Sequence, residues 1–292
     1  MKRRILVAGG TGLLGEPVAR RLHEDGFTVR VLARDPERAR RLFGDAFEIV
    51  AADITDLKAL ERSLLGCWGA HISIGGAVDQ VSAENVADLA LATGLQRVGY
   101  ISGSTVCEEN GWFPMVAQKL MAEKAVGACG APFTIFCPTW PFETLLRFVR
   151  GGRATLIGKQ PTPYHFFAAE DLARMVSRAY RSDEAANKRL YVHGPEAIPM
   201  RVALERVCAA LYPEIESVSV LPIGLARIMA LLTRNAGLKY ATELMAYFDK
   251  AGEPGDPAEA NRLLGAPTLT LEQWIAKRLN GAAAESEPVA AG

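Results

Sequence analysis

Apolar residues open the chain as a short unbroken block at 5–8. They then change rhythm, with Leu13, Leu14, Val18 and Leu22 recurring while Glu16, Arg20 and Arg21 fall between them. An unbroken β-prone block suits a parallel strand buried on both faces, and the three-to-four residue rhythm suits a helix packed against it. The alternation repeats. Residues 28–34 form a second strand pattern, and Asp35-Pro36-Glu37-Arg38 opens a helix. Residues 47–52 form a third strand pattern, followed by a helix at 57–65. Residues 70–74 form a fourth, closed by Gly75-Gly76, and the helix at 80–93 stops at Gly94. Strands at 97–102 and 132–140 complete the series. Strand and helix patterns alternating at this spacing predict an α/β protein with a doubly wound parallel sheet.

Beyond the sixth strand the pattern becomes more helical. Helices are predicted at 142–149 and at 172–180, the latter opened by Glu170-Asp171, with a strand at 189–193. Further helices fall at 200–211, 225–246, 258–264 and 271–279, around a short strand at 217–221. The expected organisation is a nucleotide-binding domain over 1–155 and a C-terminal region over 156–282 that returns to the sheet near 165–195 and adds a smaller, mostly helical lid. A flexible tail is expected over 283–292. The Leu-, Met- and Ala-rich 225–246 segment either covers an apolar ligand, forms a face for a homodimer or protein partner, or packs on its own domain.

The link between the first strand and the first helix is the sequence Gly9-Gly10-Thr11-Gly12-Leu13-Leu14-Gly15. Gly10, Gly12 and Gly15 fit one dinucleotide pattern, and Gly9, Gly12 and Gly15 fit another. Both place a pyrophosphate against the unpaired N–H groups of the helix start, where only glycine allows close approach. At the end of the second strand, Asp35 would hold a ribose hydroxyl and favour NAD, or would serve only as a helix cap before Pro36. Arg34 and Arg38 would instead clamp a 2′-phosphate. The pattern favours NADP over NAD. Asp53 either accepts from an adenine amino group or caps the turn at 55–57, and Gly75 again lets backbone approach a cofactor.

Composition narrows the partners. Thirty-three basic residues balance thirty-three acidic ones, which removes any bulk electrostatic case for nucleic acid. No apolar segment reaches about 18 residues without a charge, so no spanning helix is expected. Lys2, Arg3 and Arg4 precede an apolar run that glycine ends after four residues, too soon for an export signal. Five cysteines without a C-x-x-C pair point to a reducing cytoplasm rather than a disulfide framework or a zinc site. His71, inside the fourth strand, reads as a packed core histidine. Trp112, Phe113, Trp140, Phe142, Tyr164, Phe166 and Phe167 read either as core or as an apolar pocket over a nicotinamide.

The chain resembles the short-chain dehydrogenase/reductase superfamily, and within it the atypical NmrA-like and isoflavone-reductase-like branches. The resemblance is carried by GGTGLLG at 9–15, VLARDPERA at 31–39, Ala52-Asp53-Ile54, RVGYIS at 97–102, Lys119-Leu-Met-Ala-Glu123 and FTIFCP at 133–138. GRATLIG at 152–158 and AAEDLARM at 168–175 extend it. It implies a Rossmann fold, cofactor contacts from the glycine motif and from Asp53 and Ile54, and a nicotinamide cofactor. The superfamily's Tyr-x-x-x-Lys pair is incomplete, because Met115 stands four residues before Lys119 and a thioether donates no proton. Cys137 also stands where relatives have an arginine. In the atypical branches a Lys-x-x-x-Glu pattern replaces the pair, and Lys119 is carried over as cofactor contact and candidate acid–base group. Ser104 and Thr105, after the fifth strand, are the other candidates to meet a substrate.

Three functions are consistent with these residues. One is an NAD(P)H-dependent oxidoreductase reducing a small apolar acceptor such as a quinone, enone or carbonyl compound. Another is an NADP-binding redox sensor without turnover, and the third is an accessory subunit of a respiratory complex.

Overall fold

The computed structural model describes residues 2–286. Through the first half the elements alternate: β1 (Arg4–Ala8), α1 (Gly15–Glu24), β2 (Thr28–Ala33), α2 (Pro36–Phe43), β3 (Glu48–Ala51), α3 (Leu57–Leu64), β4 (Gly69–Ile72), α4 (Asp79–Ala90), β5 (Arg97–Ile101), α5 (Pro114–Gly127) and β6 (Phe133–Pro138). Then come β7 (Val149–Arg150), β8 (Arg153–Ile157), β9 (Pro163–Phe166), α6 (Ala169–Ala179), β10 (Lys188–Val192) and β11 (Glu196–Pro199). The chain ends with α7 (Met200–Leu211), β12 (Val218–Leu221), α8 (Ile223–Thr233), α9 (Ala236–Ala251), α10 (Ala258–Leu264) and α11 (Leu271–Ser286). No helix among the described residues is long and apolar enough to cross a membrane.

Seven strands form one sheet in the order β10-β6-β5-β4-β1-β2-β3, and every pair in it is parallel. This is the doubly wound Rossmann arrangement, with strand order reversing beside β1. Helices on both faces make the middle strands dry, so Ile5, Leu6, Val7 and Ala8 are all fully buried. Local chemistry sets the helix starts. Asp35 accepts the Arg38 backbone N–H while Pro36 takes the first position of α2, and Asp56 accepts from Ala59 at the start of α3.

The chain divides into two compact units. The first holds residues through 138, 169–192 and 254–267, and the second holds 139–168, 193–253 and 268 onward. The boundary therefore falls at 138, where the apolar pattern drew it at 155. The second unit contains more strand than its sequence suggests. β12, β8 and β7 form a three-stranded sheet, and β9 pairs antiparallel with β11. These strands are two to five residues long, too short for a period of two to stand out. Phe142 and Phe166 stack at 6.1 Å within this unit's core, and Tyr164 and Phe167 are also buried there. These four aromatics are core, whereas Trp112 is exposed.

Two helix predictions need correction. The 225–246 run is split, because Arg234 adopts a left-handed φ of 50° and Asn235 then caps α9 by accepting the Leu238 N–H. The local signals for the break are Asn235 and Gly237, which stand in a run otherwise rich in helix-forming residues. The 142–149 segment forms a 3-10 helix over Phe142–Phe148. At the C-terminus, α11 continues to Ser286 where a flexible tail was expected from 283, and the rest of that expectation lies outside the described residues.

His71 is fully buried in β4, near the Tyr180 hydroxyl at 3.4 Å, and burial pushes its pKa down from 6.5 to about 3. The folded state keeps the imidazole neutral while the unfolded chain protonates, so its stabilising contribution is intact above about pH 6.5 and is lost as pH falls toward 3. Over that window the wild type should lose about 1.4 kcal/mol per pH unit more than His71→Val, read from urea unfolding at each pH. Equal slopes would show that this histidine is accessible to protons in the folded protein.

Candidate functional site

β1 ends at Ala8 and the chain turns through Gly9 to Gly12 before entering α1. Gly9 has φ +79°, and a Cβ there would lie 2.2 Å from the Ser73 carbonyl oxygen; a Cβ on Gly15 would lie 2.1 Å from the Gly9 oxygen. Both positions therefore admit glycine alone. The Gly12 N–H donates to the Gly9 oxygen at 2.9 Å and closes the turn. No side chain caps the start of α1. Within its first turn the Glu16 N–H already donates to the Gly12 carbonyl at 3.0 Å and Pro17 has none, so the backbone offered to an anion is that of the glycine turn leading into Gly15.

Beside this turn lies a cleft of about 360 Å³ lined by Gly9, Thr11, Gly12, Arg34, Arg38, Asp53, Ile54 and Gly75, together with apolar residues at the ends of β2 and β3. The structure thus brings most of the predicted cofactor residues to one place. Gly10, Leu13, Leu14 and Gly15 shape the turn instead of lining the cleft. Ser73, Ile74 and Val78 also line it, and no motif marks them along the chain. Asp35 is committed to its cap. Arg38 reaches the Thr11 carbonyl at 3.5 Å, and among the described residues Arg34 has no hydrogen bond or ion pair. Asp53 accepts from the Thr55 N–H and hydroxyl, at 2.9 and 2.8 Å, and these bonds hold its carboxyl below the usual range.

Lys119 is not among the residues lining this cleft, although its partner Asp79 directly follows Val78, which is; the ammonium is fully engaged. Its Nζ sits 2.7 Å from Asp79 Oδ2, and it donates to the Ile101 carbonyl at 3.2 Å and to the Tyr100 hydroxyl at 3.4 Å. An ammonium has three donors, and all three are used. Tyr100 itself donates to Asp79 Oδ1 at 2.8 Å, and burial followed by the Asp79 charge raises its pKa well above the ordinary value, so it remains a neutral donor. Asp79 comes from the first turn of α4, forty residues before Lys119, and no sequence spacing announces the pair.

Ser104 and Thr105 follow β5 but are only 4% exposed each. The other half of the Lys-x-x-x-Glu pattern is equally occupied. Glu123 accepts from the Ser102 hydroxyl and from Arg189 Nε at 2.8 Å, while Arg189 also donates to the Val106 carbonyl. The buried Cys137 thiol lies 4.0 Å from Glu123, and burial, with that carboxylate, pushes its pKa up.

The NmrA-like family model matches residues 1–210. The chain belongs to the NmrA-like family. This NmrA-like chain is 30% identical over 200 residues, 68% of its own length and 70% of the relative's, to (4-alkanoyl-5-oxo-2,5-dihydrofuran-3-yl)methyl phosphate reductase of Streptomyces griseus. Its fold matches that of triphenylmethane reductase of Citrobacter sp. solved with NADP(H), with TM-score 0.75, 16% identity and coverage of 92% of this chain and 98% of that one. It also matches an NADPH-dependent quinone oxidoreductase of Escherichia coli solved with NADPH, with TM-score 0.74, 20% identity and coverage of 94% and 100%.

The Lys119–Asp79 pair is a buried salt bridge, in which removing one partner strands the other's charge. Lys119→Met should lower stability by about 3 kcal/mol in urea unfolding, and adding Asp79→Asn should recover much of that loss. Strictly additive losses would show that the two charges are not coupled.

Proposed function

We propose that the chain is an NADP(H)-dependent oxidoreductase of the atypical short-chain type that reduces a small apolar acceptor such as a quinone, enone or carbonyl compound. One observation carries this reading: an uncapped helix start behind an obligatory glycine turn, beside two exposed arginines whose neighbouring acid is already committed. The backbone of Gly9, Thr11 and Gly12 would receive the diphosphate, and Arg34 and Arg38 the 2′-phosphate. Asp53, Ile54 and Gly75 would take the adenosine side. The names of relatives support the reading, since they include reductases of a furanone phosphate and of a dye, and a quinone oxidoreductase.

When bound, the nicotinamide would supply the hydride; the chain's own part is to hold the two reactants in register. Lys119 serves as a positioning residue that ties α4 and α5 to the end of β5. Proton delivery falls to Ser104, Thr105 or water, which suits an acceptor whose reduced form needs little help. All five cysteines are free thiols, in keeping with a reducing cytoplasm.

Met115 and the committed Lys119 favour a second reading, an NADP-binding sensor without turnover. The two readings separate on NADPH consumption across a panel of quinones and enals: oxidation with any member supports the reductase. Tight binding of NADPH and NADP+ with no oxidation removes the reductase, and the sensor further requires that the two forms bind with different affinity. In either case Arg34→Ala should weaken NADPH by about tenfold or more and leave NADH nearly unchanged in calorimetric titration. Equal losses would remove the 2′-phosphate assignment.

A further inference from the structure

The second unit holds a cluster of ionisable groups that the proposed reaction does not use. His165 lies in β9, His193 follows the last residue of β10, and Glu253 follows α9, so three separate segments converge. One donor atom from each lies within 4.8 Å of the other two. The convergence is built into the backbone. The Gly194 N–H donates to the His165 carbonyl at 2.9 Å, and a Cβ on Gly194 would lie 1.7 Å from the Phe166 oxygen, so only glycine lets the segment after His193 lie this close to β9. The two imidazoles stack at 5.5 Å with their planes 15° apart.

Glu253 is fixed from the same side. Its Oε1 accepts the His165 backbone N–H at 2.8 Å, and its Oε2 lies 2.5 Å from His165 Nδ1. The carboxylate side chain is 8% exposed and His193 is 8% exposed, while the His165 side chain is 39% exposed. Two donors are therefore set in place and the third has room to turn.

The geometry points to a binding site for a borderline divalent cation of the Zn2+ class, held by His165, His193 and Glu253. Two imidazoles and a carboxylate are a donor set for such ions, whereas Ca2+ and Mg2+ demand more oxygen ligands. Zinc bonds of about 2.0–2.2 Å set tetrahedral donors roughly 3.3–3.6 Å apart, so the 2.5 Å contact between His165 and Glu253 must lengthen and the widest separation shorten; the partly exposed His165 ring has room to turn. Three protein donors leave a coordination position open to water or a small ligand. The site stands apart from the reductase reading and survives its failure.

The test is zinc binding by the full chain, stripped with chelator, reloaded with ZnCl2, desalted and assayed for metal by mass spectrometry. One equivalent retained per chain is expected, with affinity falling about tenfold or more in each of His165→Gln, His193→Gln and Glu253→Gln. His165→Gln keeps the fold, as circular dichroism would show, so its loss of metal cannot be assigned to unfolding. Cobalt in place of zinc should give visible d–d bands without a thiolate charge-transfer band. Substoichiometric retention, binding unchanged in His165→Gln and Glu253→Gln, or a thiolate band that assigns the ion to cysteine would each overturn the site.

Discussion

The carbonyl oxygen of Gly9 occupies the space in which a side chain on residue 15 would begin, and the oxygen of Ser73 does the same for residue 9. Because both places must be empty, the end of β1, the start of α1 and the end of β4 can meet within van der Waals range. That meeting places an uncapped helix terminus at the carboxyl edge of the sheet, next to the point where strand order reverses. The cleft, its arginine mouth and the pairing of Arg38 with the Thr11 carbonyl all follow from it. A methyl group at either glycine would push the strand and helix apart and dissolve the site without touching a charged residue.

A second constraint works by charge. Asp79 and Lys119 are both removed from water, and neither ion would be tolerated there alone. Their pairing, with Tyr100 and the Ile101 carbonyl taking the remaining donors, binds two helices to the end of β5. The cost is freedom: an ammonium held by three acceptors is a poor proton donor.

The second unit uses the same device of a glycine beside a carbonyl, at Gly194 against Phe166, to bring a histidine next to β9. Short strands with little pattern of their own are held there by an aromatic core that includes Phe142, Phe166 and Trp274. Register between β9 and β11 aligns segments that sequence distance keeps thirty residues apart.

The alternation of buried strands with amphipathic helices made the parallel sheet legible from residues alone, since a strand covered on both faces must be apolar throughout. The glycine turn and the cap at Asp35-Pro36 were legible too, because backbone conformation there admits few residue types. The split at Arg234, the short strands of the second unit and the boundary at 138 were not, for their signals are weaker than the tertiary contacts that impose them. Nor does any spacing join Asp79 to Lys119, or His165 to His193 and Glu253. Local chemistry determines turns, caps and periodicity; which buried charges find one another is decided only when distant segments pack, because the energy that pairs them exists only after water has been excluded.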